Sequence, residues 1–261
     1  MGNRLVGLML AGTILLASAP GLFAQSNRPS GAGEAKPAPR RPDGTPDLTG
    51  LWGGAPNLDH FNPETPPFTP WGSARYRIAR EGTRTPLEQG REDIDPMLHP
   101  YCMVPGYPRI YLRPSPIEIA HAPDRVYILF EVNNQWRIIY LDGRAHPEGA
   151  PSTFMGHAVG RWDGDALAIE TVGINELTWL DGLGTPHSDG LRVEERIRRV
   201  AQDRLEMAFL FDDAKAFTRP WRGVRNWVLR PPDWALMEYG VCNTPSTDLY
   251  EEEVVKGKLG E

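Results

Sequence analysis

Cysteine is nearly absent from this chain: there are two in 261 residues, Cys102 and Cys242. With no Cys-x-x-Cys pair and no His-x-His or His-Glu-x-x-His spacing, the sequence carries no recognised zinc signature. An oxidising compartment would permit a bridge between the two cysteines. The pattern leaves that bridge and a pair of buried thiols both open. Lysine is also scarce, four of the 28 basic residues. The dominant arginine, with its planar fork, suits fixed contacts to carboxylates and oxygen-rich ligands, although GC-rich coding gives the same bias. Positive excess is missing. The net charge is −6 with the signs intermixed, so the electrostatic footprint of a nucleic-acid binder is absent. No long apolar run follows the first 24 residues, which leaves no transmembrane helix in the body of the chain.

The apolar run at the start reads as a secretory signal. Arg4 supplies the positive end, residues 5–16 the apolar core, and Leu22-Phe23-Ala24 the cleavage site. Residues 1–24 are therefore expected to be removed, giving a periplasmic or secreted protein. No cysteine lies near the cut, so no lipid or membrane anchor is expected to remain. Residues 25–46 are proline-studded and too polar to bury a core, and read as a disordered linker. Residues 47–247 form one domain, and residues 248–261 a flexible charged tail.

Strand signals fill the domain. Residues 47–52 open it, and Gly50-x-Trp52 matches a lipocalin-type first strand. Short helices are expected around residues 74–81 and 87–93. From Ile117 the chain reads as a meander. Residues 126–132 and 135–141 flank Asn133-Asn134, a two-residue turn that tolerates positive φ. Residues 156–171 hold a hairpin around Asp163-Gly164, read as type I′. Further strands follow at 191–200, 204–211, 225–230 and 235–239. The expected fold is all-β: an antiparallel meander closed into a calycin- or lipocalin-like barrel, with long decorating loops and one or two short helices. Both faces of the 126–141 hairpin are largely apolar, so both are expected to be covered, with the aromatic face of Glu131, Trp136 and Tyr140 lining a cup or forming an interface between layers.

Several residues carry more chemistry than scaffold requires. A two-residue turn at Asp163-Gly164 sets His157 opposite Glu170, with Arg161 on the same face. In residues 191–200 the odd positions are the apolar set, so Glu195 points inward. A buried carboxylate needs a cation or several donors. The two readings are an internal salt bridge to an arginine that fixes register, and a ligand-contacting or acid–base role. Arg144 and His146 leave a strand together in DGRAHP, and Trp179 and His187 sit on the glycine-rich loop WLDGLGTPHS. Loops on a rigid β scaffold are where function usually sits. Tyr239 ends the last strand.

The expected catalytic set is thus His157, Glu170, Glu195 and His187. The expected substrate contacts are Arg137, Arg144, His146, Arg161, Trp179 and Tyr239. No cofactor is expected; a metal on His146, His157 and His187 is the lesser reading, and no nucleophile elbow surrounds Ser188 to support a triad.

Taken together, PDLTGLW, DGRAHP, GHAVGRWDGDALAIET, PHSDGLRVEERIRR, FTRPW and EYGVC span most of residues 46–242. This set resembles a family of exported bacterial β-rich proteins. The resemblance implies export and a single domain, and brings no catalytic assignment. The expected function is an exported, cofactor-independent hydrolase, lyase or isomerase. It would act on a small sugar or aromatic compound by His/Glu acid–base chemistry in a barrel pocket. The alternative is a lipocalin-like carrier of a small ligand, with an apolar lumen whose charges are paired among themselves.

Overall fold

The computed structural model describes residues 36–54, 59–82, 104–149 and 151–238. Cys102, Cys242, Tyr239, the leader, the charged tail and the helix expected at 87–93 lie outside them. Nine strands close into a barrel: β1 (Gly50–Gly54), β2 (Ile117–Ala122), β3 (Arg125–Phe130), β4 (Gln135–Tyr140), β5 (His157–Asp163), β6 (Ala166–Val172), β7 (Arg192–Ala201), β8 (Arg204–Asp212) and β9 (Trp221–Leu229). Strand β9 pairs with β1, so the sheet has no free edge to aggregate. Among the described residues the one α-helix is α1 (Pro70–Gly82), and Arg109–Leu112 form a 3-10 turn. The all-β barrel read from the sequence is the fold.

The strands form because polarity alternates. β7 alternates exposed and buried along its whole length, with Val193, Glu195 and Ile197 inward, and a period of two fits only a strand with one wet face. The interior holds Trp52, Ile119, Ile128, Leu167, Phe209, Phe211 and Trp227, nearly all fully buried. A segment ahead of the meander adds Tyr107, Ile110 and Tyr111. The ring of Tyr111 packs against Phe130, Phe209 and Trp227 at 5.2, 5.7 and 6.3 Å. At one end of the barrel Arg199 lies over the Trp52 ring at 4.9 Å and donates to the carbonyl of Asp47 at 2.7 Å.

The structure departs from the sequence reading in several respects. Residues 235–238, expected to open the last strand, belong to no strand, and β9 closes the barrel instead. The meander is interrupted once: β4 and β5 pair in parallel, through Ile139↔Ala158 and Tyr140↔Val159. Residues 141–156 carry the chain back along the barrel before β5 starts, as a parallel pair requires.

The β5–β6 register is two residues from the expected one. His157 faces Val172, Val159 faces Glu170 and Arg161 faces Ala168. The turn is Gly164-Asp165, with positive φ at Gly164 (59°) alone. Glycine at the first turn position is the type II′ arrangement, not type I′. The β3–β4 register shifts likewise. Phe130 faces Gln135 and Ile128 faces Arg137, around a four-residue loop. Asn133 and Asn134 take the positive φ expected of them (57° and 50°), but Val132 is drawn into the core and lengthens the turn.

The outer face of β3–β4 is open. Trp136 is 61% exposed and its cross-strand partner Leu129 is 36% exposed. The lumen is lined by the other face, with Arg137. Finally, residues 36–46 of the expected linker are docked. The Gln202 amide donates to the Lys36 carbonyl, and Arg40 pairs with Asp165 at 2.5 Å. Prolines lower the entropy lost on docking, and Arg40 finds a carboxylate on the barrel while Arg41 pairs with Asp43 of its own segment.

Candidate functional site

Two polar constellations stand out, one inside the barrel and one on its outer wall. Inside, Glu195 of β7 and Arg137 of β4 meet at 2.7 Å, with side-chain exposures of 0% and 1%. Arg137 Nη1 also donates to the Tyr111 hydroxyl, and Nη2 to Thr171 Oγ1, each at 2.7 Å. The Tyr107 hydroxyl donates to Glu195 Oε2 at 3.1 Å, and the guanidinium lies 4.0 Å from the centroid of the Tyr107 ring. Burial alone works against the charge of Arg137. The neighbouring Glu195 carboxylate and the two tyrosine oxygens outweigh it, so the pKa rises above the ordinary arginine value. Burial, reinforced by the Glu195 charge, lifts Tyr107 well above the usual phenol range, so its proton stays in place.

Glu195 was read correctly as inward, and the arginine pair is the reading that holds. Arg137 was expected to contact substrate; it is closed off from solvent and committed to Glu195, Tyr111 and Thr171. A second buried arginine, Arg225, has its pKa lowered to about 10 by burial and lies 5.1 Å from the Trp227 ring centroid.

On the outer wall, strand alternation places His157, Val159 and Arg161 of β5 on one face with Ala168 and Glu170 of β6. The sequence reading set this face toward the lumen; it points outward, because Ala158, Leu167, Ile169 and Thr171 are the buried set. The face is not featureless. The returning segment 141–156 folds over it and brings His146 against His157, Nδ1 to Nδ1 at 2.9 Å, with the rings edge-on at 5.1 Å. His146 Nε2 lies 3.2 Å from Glu170 Oε1, within ion-pair distance although off the hydrogen-bond line. Arg192 of β7 holds the other oxygen of Glu170. So Glu170 and His157 belong to one cluster after all, joined through His146 and not across the hairpin rung.

Two further groups fix the ring of His157. Tyr140 stacks on it at 5.3 Å and 22°. Arg144 covers Tyr140 at 3.8 Å and is itself clamped by Asp142 through Nε at 2.9 Å and Nη2 at 2.5 Å. That clamp holds the Asp142 carboxyl down at about 2. Burial, then His146 and Arg144, lower the pKa of His157, so its imidazole is neutral at pH 7. Its Nε2 has no protein partner among the described residues. The ring borders a cavity of about 500 Å³ shared with Asp142, Arg144 and Pro147. A second groove of about 420 Å³ continues over Arg161, Ala168, Glu170 and Arg196, and Arg144 lines both.

The remaining expected site residues lie elsewhere. His187 is buried on the 173–191 loop, its Nδ1 3.0 Å from the Ser188 carbonyl and Nε2 3.5 Å from Thr178 Oγ1. Ser188 donates to Asp213 through Oγ at 3.0 Å and through its amide at 2.6 Å, which anchors the loop. Trp179 lies under Arg109 at 5.5 Å on the same loop. The His146, His157 and His187 metal set is therefore not assembled. Among the described residues no group of three or more His, Cys, Asp or Glu is arranged to hold a metal ion.

Burial lowers the pKa of His187 below 6.5, which fixes a sign. Above about pH 6.5 both folded and unfolded chains hold it neutral; below, the unfolded chain takes up a proton that the folded one refuses. Burial acts in the same direction on His121. Stability is expected to fall as the pH drops from about 7.5 to 5.5, read as a lower urea midpoint. His187→Gln should flatten part of that fall; an unchanged slope contradicts the assignment.

Arg192 and Arg196 are members of the outer site that the sequence did not single out, and Tyr140, expected on the aromatic face of the 126–141 hairpin, stacks on His157 there. Arg192 and Arg196 carried a usable signal, since both lie on the exposed even-numbered face of β7, where their row could have been matched to Glu170 and Asp163. No protein-family model, curated protein sequence or solved structure matches the chain.

Proposed function

We propose that the outer groove is the reaction site of an acid–base enzyme acting on a small molecule, with His157 as the general base. The observation that supports this most is the chain Glu170–His146–His157 ending at a nitrogen with no protein partner. A carboxylate beside His146 Nε2 favours the proton on that nitrogen. With its proton on Nε2, the His146 ring presents a bare Nδ1, which accepts the Nδ1 proton of His157. The lone pair of His157 is left on Nε2, at the edge of the cavity. As the base takes a proton, the imidazolium is stabilised through His146 by Glu170, which Arg192 and His146 hold in place. This is nucleophile-free base chemistry of the kind that hydrolases, lyases and isomerases use on sugars and aromatic compounds. Reading residues 1–24 as a leader makes it an exported enzyme, in keeping with the exported bacterial proteins that its motifs resemble.

The test is turnover by the full mature chain on a panel of lactones, aryl esters and sugar derivatives, wild type beside His157→Gln. Turnover that falls in the variant, with a pH profile rising through the titration of one imidazole, supports the proposal. Turnover indifferent to His157 overturns it. The carrier reading draws on a different observation: inside the barrel Glu195 and Arg137 neutralise each other, as a binding lumen would require.

A further inference from the structure

The second groove has an internal order that names a class of ligand. Register places Arg161, Ala168 and Arg196 in one row across β5, β6 and β7. With strands about 4.8 Å apart, the two arginines flank the small alanine on backbones about 10 Å apart. Arg196 uses Nη1 on Asp163 at 2.7 Å, which leaves Nε and Nη2 of its fork. Arg161 makes no hydrogen bond or close ion pair among the described residues, although its charge acts on Asp163, and it is exposed at the lip of the groove. The next row toward His157 is different: Val159, Glu170 and Glu194. Arg192 already serves both carboxylates there.

From this arrangement we infer that the groove takes a small monocarboxylate, its carboxylate seated over Ala168 between Arg161 and Arg196. A guanidinium fork matches a carboxylate bidentately, and an unengaged fork loses no existing partner on binding. The tail crosses the Val159 row toward His157. Val159 lies about 7 Å and His157 about 13 Å along the strand from the seat, so a single ring or a six-carbon sugar chain, roughly 7–9 Å long, passes the Val159 row and directs its far end at His157. Glu170 and Glu194 along that path repel a second negative charge, so a dicarboxylate of the same length is disfavoured. The inference names the substrate class of the site proposed above and rests on that reading only for the role of His157.

The experiment is calorimetric titration at low salt with two acids, 3-phenylpropionate and gluconate. Each is compared with its own primary amide, and adipate serves as the dicarboxylate. Wild type is expected to bind at least one acid about tenfold or more tightly than its amide, and more tightly than adipate; which acid it is separates an aromatic from a sugar tail. Arg161→Gln, at an exposed position that leaves the core intact, should bring acid and amide to equal affinity, Arg161→Lys should restore part of the preference, and His157→Gln should keep it. Three results overturn the inference: no binding of either acid, equal binding of acid and amide to wild type, or an acid preference that survives Arg161→Gln. The two proposals fail separately. Loss of the acid preference in Arg161→Gln without any His157-dependent turnover refutes the base and leaves the carboxylate seat standing. The converse refutes the seat alone.

Discussion

Glu195→Leu lowers the stability of the barrel by about 3–5 kcal/mol, because it leaves the Arg137 guanidinium buried without its counter-charge. Titration does not relieve the charge near neutral pH, where a guanidinium stays protonated. Its Nη1 keeps the Tyr111 hydroxyl and Nη2 keeps Thr171, neutral oxygens that solvate a cation less well than a carboxylate. Glu195→Gln should cost less, as the amide oxygen still accepts from Arg137 Nη1. The double variant Glu195→Leu with Arg137→Met removes both charges and restores most of the loss, because a buried ion pair pays for its attraction with desolvation. Urea unfolding of the four proteins closes a double-mutant cycle. A single substitution as mild as an exposed-site change, or a double variant no better than the single, would show that the pair is not the constraint described here. In the wild type it ties β4 to β7 through the barrel interior, together with Tyr107 and Tyr111 from the segment before the meander.

Turnover at the outer groove should fall by about 10²–10⁴-fold in His157→Gln, the usual contribution of a positioned general base. Glutamine keeps a hydrogen-bonding side chain of similar reach but has no basic nitrogen, and the half-buried, outward position of His157 keeps the substitution clear of the barrel core. Glu170→Gln should fall less, since it removes the charge that orders His146 without removing the base. Combining the two should add little to the effect of His157→Gln, because both act through one imidazole. Independent multiplication of the two effects would break the chain of contacts from Glu170 to His157. So would an Arg192→Gln variant with the activity of Glu170→Gln but an unaltered pH profile.

Much of the fold was legible because it depends on local chemistry. Alternation along β7 pointed Glu195 inward, and the composition of 126–141 paired β3 with β4. Turn chemistry placed positive φ at Asn133 and Asn134. Parity survived even where register did not. A shift of two residues moves every cross-strand partner but keeps each side chain on its face, so His157, Arg161 and Glu170 still lie together.

What the sequence could not decide was which face is inside. The β5–β6 hairpin carries Ala158, Leu167 and Ile169 on one side and Val159, Ala166 and Ala168 on the other, and small apolar residues alone do not separate core from groove. The meeting of His146 with His157 was equally hidden. It depends on the return of residues 141–156 over the wall and on the parallel β4–β5 pairing, a long-range arrangement that no short motif encodes. Glycine at position 164 could have been read either as the second residue of a type I′ turn or the first of a type II′ turn, and the choice moved the whole ladder.

In the proposed site His157 stands neutral in the groove with its lone pair on Nε2, at the end of a chain that begins at Glu170. Long-range proton–nitrogen correlation spectra of the imidazoles at neutral pH read that state atom by atom. His157 is expected as the Nδ1-protonated tautomer and His146 as the Nε2-protonated one, with Glu170→Gln disturbing both. A cationic His157, or one carrying its proton on Nε2, would contradict that assignment.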